Sequence, residues 1–388
     1  MTDPAGASRV RFLHTSDWQL GMTRHYLAGE AQARFTGDRV EAIRRIGRVA
    51  RDEGCEFVVV AGDVFEHANL GRRDVVRALG AMGEVGLPVY LLPGNHDPLG
   101  PGSIWESAAF DGQRPDNVIL LDRPGPWPVR EGVEIVAAPW FTKHPDHDPV
   151  TDVLSGLTAD GTTRVLVGHG MLDALEPDRD TVAVDTDRLR AAVAAGIVHY
   201  VALGDRHIRW PAEGQPDATD GPIHYSGTPE TTGFREPGRG TVLTVRLSPD
   251  ERTVTAHEIG RWLHTVVTAD LSGPADVDAL AARLDAFNPK ERVIVKTVLR
   301  GTLNLTESAR LEDLLARYGD AFAALNAWER HTDLVVTPDD AEFDDLALGG
   351  YVLDAVAELT STVDRGGEQA DRAGEALKLL HRLAGGVR

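Results

Sequence analysis

Cysteine is nearly absent. Cys55 stands alone among 388 residues, which excludes an intrachain disulfide and any zinc site built on cysteine thiolates. Long apolar runs are missing too: stretches such as Phe57 to Ala61 are strand-sized, against the roughly 18 residues that a membrane-spanning helix needs. Met1 to Arg11 is polar and lacks the apolar core of a secretion signal, so the expectation is a cytoplasmic protein that makes no use of a membrane. Basic residues are outnumbered, 40 Lys and Arg against 60 Asp and Glu, for a net charge of −20. A surface of that sign does not grip nucleic acid by bulk electrostatics, though a local basic groove fits within an acidic whole. No internal repeat or low-complexity tract is apparent.

What the chain does have is 42% hydrophobic residues, enough for a large core, and a length that suggests two or three domains at about 150 residues each. Its first two thirds alternate β-branched runs with helical spacing. Arg9 to Thr15, Phe57 to Ala61, Val89 to Leu92, Val118 to Leu121, Val133 to Ala138, Val165 to Val167, Tyr200 to Leu203 and Thr241 to Leu247 read as strands. Val40, Ile43, Ile46, Val49 and Ala50 recur at helical spacing, as do Val75, Val76, Leu79 and Met82. Continuous apolar runs mark strands buried on both faces. Ile223 to Tyr225 and Val254 to Ile259 look like hairpin arms, so the later part is expected to be antiparallel. The fold class is therefore α/β, a layered mixed β-sheet core with helices on its outer faces. Near Arg261 the pattern starts afresh: strands at His264 to Leu271, Val293 to Leu299 and Leu334 to Val336, with helices between, make a small α+β unit. From Tyr351 onward the chain reads as helical with a break at Gly366-Gly367, and Ala373, Ala376, Leu377, Leu380 and Leu383 share a face of its last segment.

Polar clusters follow the predicted strands, at the sheet edge where ligands gather in α/β folds. They are Asp17-Trp18-Gln19, Gly62-Asp63, Gly94-Asn95-His96-Asp97, Gly168-His169 and Gly204-Asp205-Arg206-His207. Each alone is what turns contain. Five in register read as a two-metal site: paired divalent ions about 3.5–4 Å apart need carboxylates, one of them bridging, and neutral His or Asn ligands. Asp63, on the central early strand, is the natural bridge. Such a site makes a hydroxide at neutral pH and stabilises charge on a phosphoryl oxygen.

His14-Thr15-Ser16-Asp17-Trp18, Gly62-Asp63-Val64-Phe65, Gly94-Asn95-His96-Asp97 and Tyr225-Ser226-Gly227-Thr228 resemble the calcineurin-like metallophosphoesterases, and among them the SbcD-type nuclease subunits of bacterial DNA repair. Asp17-Trp18 and the Tyr-Ser-Gly-Thr segment favour that branch. The resemblance implies a metallophosphoesterase domain over residues 9–262, a capping domain over 263–345 and a helical segment over 346–388 that docks an SMC-like coiled-coil ATPase of the SbcC type. It also implies a homodimer, a DNA substrate, and two divalent cations, Mn²⁺ in first place and Mg²⁺ in second. One cation would be held by Asp17, Asp63 and His207, the other by Asp63, Asn95 and His169. His96 would sit beside the scissile phosphate as a general acid, with Asp97 grouped beside it as catalytic.

Two ligand positions depart from the family pattern. Gln19 stands where Asp-x-His has its histidine, and Asp205 where Gly-His-x-His has its first. Both offer oxygen in place of nitrogen, which favours hard ions over Zn²⁺. Glu66, His67, Arg206 and Arg209 are candidates for substrate contact, the arginines because a guanidinium fork suits phosphate. Trp18 and Trp105 are expected to pack, His14 to be a buried strand residue, and His144 to Asp148 to be a solvated loop. The last helix either closes on its own core or meets a partner. Three functions compete: a DNA-end nuclease, a hydrolase of small phosphodiesters or nucleotides, and a catalytically weakened scaffold.

Overall fold

The computed structural model describes residues 9–27, 29–177, 182–248, 251–337, 351–367 and 369–385. The chain divides into two compact units, one ending at Leu263 and one beginning at His264.

In the first unit the strands alternate between two cores. β1 (Val10–Thr15) sends Val10 and Phe12 to one side and Leu13 to the other; β2 (Phe57–Val60) sends Phe57 and Val59 to the first and Val58 and Val60 to the second. β3 (Val89–Leu91) and β4 (Val118–Leu120) extend this sheet in parallel, while β10 (Thr241–Leu247) and β11 (Arg252–Glu258) add an antiparallel edge, for the order β11-β10-β1-β2-β3-β4. Three helices, α1 (Gly29–Asp52), α2 (Arg72–Gly83) and the short α3 (Ala108–Asp111), cover its outer face through Ile43, Ile46, Leu79, Met82 and Phe110.

A second sheet has the order β5-β6-β7-β8-β9. It consists of β5 (Gly125–Arg130), β6 (Val133–Ala137), β7 (Thr163–His169), β8 (Tyr200–Gly204) and β9 (Ile223–Tyr225). Val165, Val167, Tyr200 and Ala202 face the first sheet; Leu166, Val201 and Leu203 face α5 (Thr186–Ala194) and its neighbour α4 (Pro149–Asp152). The result is two sheets packed face to face with helices outside, as expected. His14 ties the sheets together. Its Nε2–H donates to the carbonyl of Leu203 (3.2 Å) and its Nδ1 accepts from the Tyr200 hydroxyl (3.1 Å), and burial pushes its pKa down to about 3. Trp18 and Trp105 are buried packing residues.

One strand corrects the sequence reading. Ile223–Tyr225 pairs with β8 in parallel, Val201 opposite Ile223, where a hairpin arm was expected. Residues 205–222 form a long excursion that returns the chain to the start of the sheet edge, and a parallel neighbour requires such a crossover. β5, with the sequence Gly-Pro-Trp-Pro-Val-Arg, did not read as a strand; it lies at a sheet edge, where proline is tolerated.

The second unit contains β12 (Leu263–Leu271), α6 (Pro274–Asp285), β13 (Val293–Leu303), α7 (Leu305–Ala321), β14 (Ala324–Ala327) and β15 (Asp333–Val336). β13 is long enough for β14 to pair with its first half and β15 with its second, both in parallel. Asn304 and Glu307 form a reciprocal capping box at the start of α7. The helices Tyr351–Arg365 and Ala370–Gly385 contribute Val356 and Leu377 to a small core with Leu305. Leu377 of the apolar stripe is thus buried, whereas Leu383 is exposed. The expected boundary between residues 345 and 346 lies outside the described residues.

Phe57 is fully buried between Phe12, stacked at 5.2 Å, and the edge of Tyr90 at 5.6 Å. Phe57→Ala should therefore cost about 3–5 kcal/mol, read as a shift in the chemical denaturation of the full chain. A loss below about 1 kcal/mol would contradict the close packing of the two sheets.

Candidate metal centre

Parallel strands β1, β2, β7 and β8 end on one rim, and the chain turns sharply as it leaves them. Asp17 (φ 53°), Gln19 (φ 49°), Asp63 (φ 54°) and Asp205 (φ 88°) all hold left-handed backbone, a conformation that costs a non-glycine residue about 1 kcal/mol or more and clusters at functional sites. Hydrogen bonds fix these turns. Asp17 N–H donates to the Gly62 carbonyl, Gln19 N–H to that of Asp63, and Asp205 N–H to Asp17 Oδ1 (3.1 Å). Two glycines are required by contact: a Cβ on Gly62 would lie 2.1 Å from His169 Nδ1, and one on Gly94 would lie 2.3 Å from Asp63 Oδ1.

Asp17, Asp63 and His169 are all buried, and each offers a ligand atom within 4.8 Å of the others. His169 Nε2 is 3.4 Å from Asp63 Oδ1, 4.0 Å from Asp205 Oδ1 and 2.8 Å from Asn95 Oδ1, while its Nδ1 faces the Ala61 carbonyl at 2.9 Å. Both ring nitrogens thus face oxygen. Burial alone would lower the His169 pKa, but Asp63, Asp17 and Asp205 overcome it and hold the ring up at about 9. His207 Nε2 lies 3.8 Å from Asp17 Oδ1. Burial again opposes its protonation; the Glu236 hydrogen bond and the Asp17 charge raise it to about 9. Asp17 itself is raised by burial, with the two imidazoles pulling the other way. The centre is a pair of buried carboxylates that calls for positive charge.

The donor set fits a divalent cation. Gln19 donates Nε2–H to Asp63 Oδ2 at 2.9 Å and leaves its Oε1 buried without a hydrogen-bond partner. Such an orphan costs about 1–3 kcal/mol, and a cation beside Asp63 would satisfy it. The structure brings together Asp17, Gln19, Asp63, Asn95, His169, Asp205 and His207. His96 adjoins them: its N–H donates to Asp63 Oδ1 (3.0 Å), its Nδ1 pairs with the Glu66 carbonyl (2.9 Å) and its Nε2 lies 3.9 Å from Asp63 Oδ2.

Asp97, grouped with His96 in the sequence, lies behind the centre. It is fully buried, and its two oxygens accept the N–H groups of Phe65 (2.9 Å) and Gly94 (2.7 Å). Burial and the Asp63 charge push its pKa up to about 7 against those bonds. It joins the Asp63 loop to the Asn95–His96 loop. Glu66 acts toward the centre through its backbone carbonyl, while Glu66 Oε2 and the Nε atoms of Arg206 and Arg209 are buried without hydrogen-bond partners. His67 is exposed and its Nδ1 accepts from Asn69 N–H. His144 to Asp148 forms a largely exposed loop in which His147 pairs with Asp152.

Sequence reasoning missed the supports of His207. Glu236, buried, lies 3.0 Å from its Nδ1 and Thr232 Oγ1 lies 2.7 Å away. The carboxylate keeps a proton on Nδ1 and leaves Nε2 facing Asp17, as ligand histidines require. Arg39, also buried, donates to the Trp18 carbonyl (3.1 Å) and the Thr231 carbonyl (2.9 Å), and so links the Asp17 loop to the Thr232 loop. An acidic residue shortly beyond Tyr225-Ser226-Gly227-Thr228 would have been the available signal.

Buried carboxylates and histidines gathered at the strand ends of a two-sheet sandwich make a site able to hold divalent cations. The calcineurin-like phosphoesterase family model matches residues 10–210, and the chain belongs to that family, whose members use divalent metals. Over 92 residues the chain is 30% identical to the SbcD component of the nuclease SbcCD from Bacillus subtilis, a stretch covering 23% of this chain and 22% of that relative. Among solved structures, a Thermus thermophilus protein aligns with 64% of this chain and 99% of its own, at 11% identity and a TM-score of 0.39. A dimetal phosphatase from Danio rerio aligns over 66% and 99%, at 13% identity and a TM-score of 0.36. No helix among the described residues is long and apolar enough to cross a membrane.

The raised histidines set a pH dependence. With folded pKa values of about 9 against an ordinary 6.5, their protons add stability that is complete below the unfolded value and is lost as pH rises through the folded one. In EDTA the Tm should fall between those two pH values. Glu236→Gln should lower the Tm at the acid end and flatten the fall, because it removes the share of His207. A wild-type Tm that stays level or rises across this window would contradict the assignment.

Proposed function

We propose that the chain is a two-metal phosphodiesterase that cuts DNA ends, of the SbcD type, with Mn²⁺ ahead of Mg²⁺ as its cation. Asp17, Gln19, Asp63 and His207 would hold one cation, and Asp63, Asn95, His169 and Asp205 the other; the oxygen-rich set suits hard ions. When bound, the pair supplies charge neutralisation for the phosphoryl group and lowers the pKa of water. His96 is held by the Glu66 carbonyl, which fixes its Nδ1 proton and points Nε2 at the centre. That ring is 42% exposed, so Nε2 can reach a substrate oxygen and, as imidazolium, hand its proton to the leaving group. Asp97 keeps the His96 loop against the Asp63 loop.

The observation that carries the nuclease reading is how the Tyr225–Thr228 segment meets the centre. Thr228 Oγ1 donates to the Asp17 carbonyl (2.9 Å), Ser226 pairs with Ser16 (3.1 Å), and Ser16 donates to Asp17 Oδ2 (2.6 Å). The segment that resembles the SbcD branch therefore braces the first ligand. The likeness to a nuclease component supports the same reading. An SMC-like ATPase partner would supply the basic surface that a chain of net charge −20 lacks.

A second reading, hydrolysis of small phosphodiesters, is favoured by a cavity of about 220 Å³ beside His207, lined by Arg209, Glu213, Arg239 and Glu258 among others. End-labelled linear duplex DNA in Mn²⁺ tests the two. The expected result is digestion by the wild type that drops by about 10²-fold or more in His96→Ala, and inhibition of small-diester turnover by the same DNA. Turnover of small diesters with no DNA digestion and no competition would favour the second reading.

A further inference from the structure

Among the described residues of the first unit, Phe141 is the one large hydrophobic side chain left exposed, at 57%. Its position is fixed from the residue before it. Trp140 N–H donates to the Pro93 carbonyl (3.1 Å), the Trp140 carbonyl accepts from Leu99 N–H (2.8 Å), and the Trp140 indole N–H donates to the His169 carbonyl (2.7 Å). The indole also meets the His169 ring edge to face at 5.9 Å. Phe141 therefore follows directly on a residue that clasps the loop of Asn95 and His96 and touches a candidate ligand. Two residues on, in the same exposed stretch, is Lys143, the single lysine among the first 289 residues. An aromatic face and an ammonium group beside the anchored Trp140 are the two elements of a single-strand platform, on which a base stacks while a cation meets the backbone.

We propose that Phe141 stacks on a nucleobase next to the scissile phosphate and that Lys143 meets the adjoining backbone phosphate, which makes this rim a determinant of preference for polynucleotide over small diesters. The inference rests on the nucleic-acid reading above. An exposed phenyl ring serves any base, because every base has a π-face, so the platform confers no sequence preference. It also gives an acidic chain a contact with DNA that does not depend on net charge.

The test uses the full-length chain with Mn²⁺ in a His96→Ala background, and a short single-stranded oligonucleotide carrying 2-aminopurine, whose fluorescence is quenched when it stacks. The expected result is quenching on binding, lost in Phe141→Ala along with a roughly tenfold fall in affinity and retained in Phe141→Tyr. An oligonucleotide with abasic sites in place of its bases should bind both forms equally. Lys143→Gln should weaken normal and abasic strands alike and make binding less sensitive to salt. If Phe141→Ala keeps the quench and the preference for bases, the platform is overturned while the nucleic-acid reading stands. If the parent chain binds no oligonucleotide, that reading falls and the platform with it.

Discussion

Two carboxylates, Asp17 and Asp63, are buried side by side at the rim of a sandwich, and the rest of the first unit is arranged around them. Like charges at that depth are stable only with positive charge between or beside them. The two sheets meet this need from opposite sides: β1 and β2 bring the carboxylates, while β7 and the loop after β8 bring His169 and His207. The backbone at Asp17 and Asp63 is left-handed, and the cost is borne by the hydrogen bonds that interlock their turns. His14, bridging to Tyr200 and Leu203 just behind the centre, keeps the sheets from sliding relative to one another.

The support of the centre is as specific as its ligands. Each histidine has its orientation set by an oxygen on its far side: Ala61 for His169, Glu236 and Thr232 for His207, Glu66 for His96. Asp97 and Arg39 act one step further back, joining pairs of loops through backbone groups. Gln19 is the exception. Its amide nitrogen faces Asp63 and its oxygen is left without a partner, so its acceptor is the one that a cation would have to satisfy.

The α/β class and the strand-end clusters were legible because both follow from local pattern. Continuous runs such as Phe57 to Val60 announce strands buried on both faces, and the Asp, Asn and His clusters follow those runs at once. What the pattern hid depends on contacts distant in sequence. The parallel pairing of Ile223–Tyr225 is set by a long crossover rather than by its three residues. β5 carries two prolines that local propensity counts against a strand. Glu236, Thr232 and Arg39 stand in no cluster and gain their meaning only when α1 and the loop after Thr228 fold onto the rim. Asp97 sits within a cluster, yet its carboxylate points back to the backbone.

The proposed centre holds two cations, with Gln19 and Asp205 among their ligands. Counting bound Mn²⁺ per chain at saturation, by equilibrium dialysis with electron paramagnetic resonance on the same samples, tests it most directly. Two ions per chain and a spin-coupled signal from neighbouring Mn²⁺ are expected. A count near one, with the spectrum of an isolated ion, would contradict it and leave Gln19 as a bystander.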